Sequence, residues 1–120
     1  MAETKKRGDH AENRALSHLL EQGLTIVERN FRSRRGEIDL VMLDADSLVF
    51  VEVRLRNNEN FGSAAESVTL KKQIRIIQAA RLFLQLKVQW SNHPCRFDVV
   101  AISGAPKEHI DWIKDAFQST

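Results

Sequence analysis

Between Gly36 and Leu55 the chain runs through two segments rich in β-branched and aliphatic residues, GEIDLVML and LVFVEVRL, with only the tetrapeptide DADS between them. Such residues suit a pleated, buried surface, and Asp and Ser favour tight turns, so the pair predicts a β-hairpin. Both faces of each strand are apolar, which requires cover on both sides and points to a mixed sheet flanked by helices, an α/β arrangement. Yet Glu37, Asp39 and Glu52 interrupt these strands, where an unpaired buried carboxylate costs several kcal/mol or shifts its pKa to stay neutral.

The rest of the chain supplies the cover. GDHAENRALSHLLEQG reads as a helix with Asp9 as N-cap, Glu12 completing a capping box and Gly23 as the stop, leaving residues 1–8 as a flexible lead. LTIVERNFR reads as a strand. RNNENFGSAAES, Arg56 to Ser67, is polar and reads as a mobile connection at the open end of the hairpin. From Thr69 to Lys87 the apolar residues Leu70, Ile74, Ile77, Ala80 and Leu84 recur at helical spacing. SNHP breaks that helix, CRFDVVAIS reads as a strand, and EHIDWIKDAF as a short terminal helix or an irregular packed tail. At 120 residues and 42% hydrophobic content, the chain builds one domain, residues 1–120, around one core.

A single cysteine, Cys95, excludes an internal disulfide framework. The absence of any apolar run near the roughly 18 residues of a membrane span, and of a signal peptide, places the expected protein in the cytoplasm with no membrane partner. His10, His18, His93 and His109 show no paired ligand spacing, which argues against a zinc site.

The acidic residues gain meaning from the turn. With Ala45 and Asp46 at its centre, Asp39 falls opposite Glu52 and Glu37 opposite Arg54, and the two carboxylates lie about 5 Å apart between their Cβ atoms. Like charges so placed need a shared proton or a cation, and Mg²⁺ or Mn²⁺ is the economical choice, since such hard ions bind one or two carboxylates and fill the remaining positions with water and phosphate. A slipped turn would instead leave both acids solvated at strand ends. In the first helix Glu12 shares a stripe with Ala15, Leu16 and Leu19, so it faces the sheet, caps the helix, or does both. Gln73 shares the face of Leu70, Ile77, Ala80 and Leu84, where it either reaches solvent or supports a carboxylate. Arg32, Arg34 and Arg35 lead into the acidic hairpin, and Lys71 and Lys72 open the long helix; each alone could merely solvate the surface, but together they suggest a nucleic-acid partner. Asp98 reads as structural, paired with Arg96 or an arginine of the first strand.

Taken in order, GEIDLV, VFVEVRLR, FGSAAESVTLKKQ and CRFDVVAI…WIKDAF resemble the YraN-like family of small bacterial proteins. The resemblance spans roughly residues 8 to 118 and implies a predicted endonuclease distantly similar to archaeal Holliday junction resolvases, within the PD-(D/E)XK restriction-endonuclease-like superfamily. It implies an αβββαβ core, Asp39 and Glu52 as metal ligands, Glu12 as the glutamate of the first helix, Gln73 as the glutamine of the long helix, and DNA, branched or structured, as substrate. By analogy it also implies a homodimer. One departure matters: the signature lysine, two residues beyond the acidic one, is Arg54, and a guanidinium binds charge without exchanging protons. Lys72 could supply an amine from the helix, although the sequence does not place it. The expectation is a Mg²⁺-dependent DNA endonuclease using Asp39, Glu52, Arg54, Glu12 and Gln73. The alternatives are an accessory nucleic-acid-binding protein that keeps the nuclease fold without cleavage, and a protein-interaction module whose acidic hairpin is structural.

Overall fold

A computed structural model describes residues 2–56, 67–104 and 107–119, with side chains from residue 8 onward. The elements run α1 (Ala2–Glu21), β1 (Thr25–Arg32), β2 (Glu37–Asp44), β3 (Ser47–Arg56), α2 (Leu70–Leu86), β4 (Cys95–Ser103) and β5 (His109–Phe117). The expected connection from Arg56 to Ser67 falls almost wholly outside the described residues.

The strands form one five-stranded sheet in the order β1-β2-β3-β4-β5. Adjacent strands are antiparallel except β3 and β4, which are parallel and joined through α2. The expected αβββαβ order in a mixed sheet covered on both faces is what the chain builds. Ala11, Ala15 and Leu19 of α1 pack on Leu40, Met42, Val49, Val51, Val100 and Ile102 on one face. On the other face, Ile76, Ala79, Ala80 and Phe83 of α2 pack on Phe31, Ile38, Val41, Leu48, Phe50 and Phe97. The Phe83 ring centre lies 5.2 Å from that of Phe31 and 5.9 Å from that of Phe50, both edge-on, a favoured aromatic geometry. No described helix is long and apolar enough to cross a membrane.

Three local expectations need correction. First, α1 starts at Ala2, so Asp9 lies inside the helix and cannot cap it; Glu12 is therefore no capping-box partner. Its stop is as expected: Gly23 adopts φ 98°, Gly23 N–H reaches the Leu20 carbonyl and Leu24 N–H that of Leu19, both at 3.1 Å, a Schellman closure. Second, the inward face of α2 is centred on Ile76, Ala79, Ala80 and Phe83: of the expected stripe Ala80 is buried and Ile77 and Leu84 pack partly buried against the core, while Leu70 is 71% and Ile74 48% exposed. Third, the C-terminal segment is a fifth strand rather than a helix. Its pairing with β4 slips between Phe97 and Val99, and Asp115 takes φ 53°, so the period-two alternation that would betray a strand is interrupted.

Candidate active site

The hairpin register places the acids. Pairs run from Asp44↔Ser47 through Leu43↔Leu48, Met42↔Val49 and Val41↔Phe50 to Leu40↔Val51, with Ala45 at φ 53° in the turn, which is the register expected from the sequence. The ladder ends there, one residue short of Asp39 and Glu52. The anticipated Glu37–Arg54 pair does not form: Glu37 lies opposite Arg32 of β1, with Oε2 3.9 Å from the Arg32 Nε.

Beyond Leu40 the alternation of β2 breaks. Leu40 packs in the cluster under α1, whereas Ile38, two residues earlier, packs in the cluster under α2. Asn30 of β1, between the Arg29↔Leu40 and Phe31↔Ile38 pairs, takes φ 53°, a left-handed conformation that Asn tolerates better than most residues. Asp39 sits at this irregularity, and its Oδ2 accepts the Val53 N–H at 2.8 Å, so a side chain holds the two strands where backbone pairing has stopped.

Glu52 is 4% exposed and pointed at α2. Its carboxyl interacts directly with that of Asp39. Burial, reinforced by the charge of Asp39, pushes Glu52 up to about 8 against the opposing pull of Lys72 and Arg54. Burial also raises Asp39, with the Val53 N–H working the other way and the charge of Glu12 adding to the rise.

The cations expected nearby divide. Arg54 Nη1 and Lys72 Nζ each lie 3.7 Å from Glu52 Oε2. Arg54 Nε is buried and finds no acceptor among the described residues. Gln73 spends its amide on the Val68 carbonyl at 3.1 Å, so it serves the start of α2 and is not brought to the acids. Thr69 Oγ1 caps the same helix by accepting Lys72 N–H at 3.2 Å. Arg34 and Arg35 are exposed on the β1–β2 turn, and Lys71 is exposed on α2.

Glu12 approaches from α1. It is 9% exposed, and its Oε1 accepts from Arg29 Nη2 at 3.1 Å and Asn30 Nδ2 at 3.0 Å. With Asn30, Arg32, Glu37, Asp39 and Val53 it lines an open cleft of about 350 Å³. Arg29 and Asn30 are the residues sequence reasoning missed; the exposed face of an edge strand carries no periodic signal for them.

The donor set suits a hard divalent cation held by few protein ligands. Among the described residues no group of three or more His, Cys, Asp or Glu side chains closes into a metal cage. Mg²⁺ typically takes one or two carboxylates, and two interacting carboxyls, both raised by burial, meet that description. Asp98 stands apart: fully buried, it accepts from Arg96 Nε at 3.0 Å, Trp112 Nε1 at 2.9 Å and Asp115 N–H at 3.0 Å, a saturated structural carboxylate.

A family model described as "Uncharacterised protein family UPF0102" matches residues 11–102. A UPF0102 protein of Stutzerimonas stutzeri (strain A1501) is 52% identical over 121 residues, covering 99% of this chain and 100% of that protein. Another from Pseudomonas syringae pv. syringae (strain B728a) is 51% identical over 117 residues, covering 96% of this chain and 95% of the relative.

Proposed function

This chain belongs to the uncharacterised protein family UPF0102, and we propose that it is a metal-dependent endonuclease acting on DNA, with branched or structured DNA as its substrate. The observation that carries the reading is the adjoining Asp39 and Glu52 carboxyls at the open end of the hairpin, Glu52 buried and Asp39 half-buried, with Lys72 and Arg54 each 3.7 Å from the same Glu52 oxygen. Asp39 and Glu52 would hold Mg²⁺ or Mn²⁺, and Glu12 would support Asp39 from α1. The bound ion supplies the activation of water and the neutralisation of charge on the phosphodiester. Arg54, half-exposed with Nη1 3.7 Å from Glu52 Oε2, would bind a non-bridging phosphate oxygen beside the acids. Lys72 stands in for the lysine missing from the Glu52-Val53-Arg54 signature: an amine, unlike a guanidinium, can exchange a proton with the attacking water.

Linear, nicked, flapped and four-way-junction DNA incubated with Mg²⁺ or Mn²⁺ tests this. Cleavage by the unaltered protein, lost in a folded Asp39→Asn variant, is the expected result; every substrate left uncut would sink the enzymatic claim. The second reading, a nucleic-acid-binding protein without cleavage, is favoured by Arg54 in the lysine position. Binding that persists in EDTA and survives Glu52→Gln, with no cleavage, would select it.

A further inference from the structure

Beside the carboxylate cleft lies a second cavity, about 270 Å³, between the β1–β2 turn and α2, walled by Ser33, Gly36, Glu37, Lys72, Arg75 and Ile76. Its walls are held firmly. Ser33 Oγ accepts the Arg35 and Gly36 N–H groups at 3.2 Å and donates to the Gly36 carbonyl at 2.7 Å, closing the turn on itself. Gly36 is so tightly wedged on α2 that an added β-carbon would meet the Arg75 carbonyl oxygen at 2.5 Å.

Several cations elsewhere have carboxylate partners within the chain, Arg14 with Glu108, Arg29 with Glu12, Lys87 with Glu28, and Arg96 with Asp44 and Asp98, while Arg81 and Lys114 use a carbonyl and a Trp ring instead. Arg75, in the wall, forms no ion pair with any described residue, and neither do Arg34 and Arg35 on the turn or Lys71 beside it on α2. Arg75 and Lys72 in the walls of this hollow, with the exposed Arg34, Arg35 and Lys71 on the flanking turn and helix, make it a place for an external anion even with the Glu37 carboxylate in its lining. Lys72 joins the two regions, since it lines the cavity while its Nζ lies 3.7 Å from Glu52 Oε2.

We propose that this cavity seats a backbone phosphate of the cleaved DNA strand next to the scissile one, with Arg75 as its principal ligand and Arg34, Arg35 and Lys71 extending the phosphate track away from the cleft. The assignment rests on the nuclease reading and adds to it a direction for the strand: from the carboxylates, past Lys72, over the β1–β2 turn. Arg75 suits the role because a guanidinium grips a phosphate through two parallel N–H···O bonds.

The test is DNA binding followed by fluorescence anisotropy, with Ca²⁺ replacing Mg²⁺ so that strands stay intact. Single neutral methylphosphonate linkages are moved along one strand, and the unaltered protein is compared with Arg75→Ala, Arg75→Lys and, as a control elsewhere on α2, Arg81→Ala. Arg75→Ala should weaken binding about fivefold to tenfold and lower the dependence of log Kd on log salt by about one, as loss of one phosphate contact does. One linkage beside the cleaved bond should weaken binding to the unaltered protein when neutralised and have no further effect in Arg75→Ala. Arg75→Lys should keep the salt slope and lose part of the affinity, and Arg81→Ala should match the unaltered protein. DNA that binds and is cut while Arg75→Ala keeps the native linkage profile and slope would overturn the phosphate seat alone. No DNA binding by the unaltered protein would overturn the nuclease reading and the seat together.

Discussion

Replacing Glu52 by Gln should flatten the pH dependence of stability, and the size of the effect follows from where Glu52 sits. The side chain is 4% exposed and its carboxyl keeps its proton up to about 8, against 4.5 for the free group. An acid that binds its proton more tightly folded than unfolded favours the fold fully below pH 4.5, and that contribution is withdrawn as pH rises through about 8. Each pH unit in this window is worth about 1.4 kcal/mol, so the withdrawal is on the order of 3–5 kcal/mol. Asp39 is raised by burial too and adds to the same sign. Urea unfolding in EDTA at about pH 5 and about pH 8.5 reads the effect. The native protein should lose several kcal/mol across that interval and Glu52→Gln far less, since an amide can donate to Asp39 without titrating. The difference between the two curves isolates Glu52 from carboxylates such as Glu108, which its hydrogen bond to Arg14 shifts the opposite way. Mg²⁺ at a hundred times its Kd should return about 2.7 kcal/mol to the native protein at the higher pH. Parallel curves for native and variant would refute the buried proton and reduce the site to two solvated acids.

Lys72→Met should cut strand cleavage by about 10²–10⁴-fold, beyond the loss of DNA affinity that removal of one cation from the phosphate path brings in Ca²⁺; single-turnover kinetics at saturating protein read it. Glu12→Ala removes the acceptor that Arg29 and Asn30 share and should weaken Mg²⁺ or Mn²⁺ binding about 10–100-fold by isothermal titration. Gly36→Ala, with its β-carbon 2.5 Å from the Arg75 carbonyl oxygen, should cost about 1–3 kcal/mol in urea unfolding. Asp98→Ala should cost about 3–5 kcal/mol, because the Arg96 charge, the Trp112 N–H and the Asp115 N–H lose their common acceptor, and Trp112 fluorescence should report it.

What the sequence disclosed and what it hid have the same physical root. The hairpin register was legible because a two-residue turn between Asp44 and Ser47 leaves no freedom: once Ala45 and Asp46 occupy it, every pair down to Leu40↔Val51 follows. The face of α2 was legible only in part, Ala80, Ile77 and Leu84 packing as expected, because two apolar stripes that share Ala80 run along it. The one holding Leu70 and Ile74 is richer in large aliphatics near the helix start, yet the sheet takes the one holding Ile76, Ala79, Ala80 and Phe83, whose alanines allow close approach. Helical periodicity reports that a stripe exists; only the surface it docks on decides which stripe is used. The first turns of α1 were hidden for a simpler reason, since Ala2 to Gly8 are mostly polar and carry no apolar period.

Lys72, which the sequence named without placing, is set by the start of α2. Counting back from Phe83, Ala80, Ala79 and Ile76 along the inward face, the next positions at helical spacing are 73 and 72; Gln73 turns its amide back to the Val68 carbonyl, and Lys72 sends its ammonium toward the sheet. There it meets Glu52, on the strand beside the end of the β2 ladder, while α1 brings Glu12 toward Asp39 from the opposite face. Neither helix alone could assemble the group. The break in alternation between Ile38 and Leu40 makes the meeting possible: it turns Asp39 out of the ladder at the point where the two layers converge, and its carboxylate bridges to Val53 in place of the missing backbone pair. A residue with a β-strand's regular alternation at that position would point squarely at one helix and be unavailable to the other. The irregularity at Asn30 and Asp39 is therefore a condition for bringing acids from three elements and an amine from a fourth to one end of the sheet.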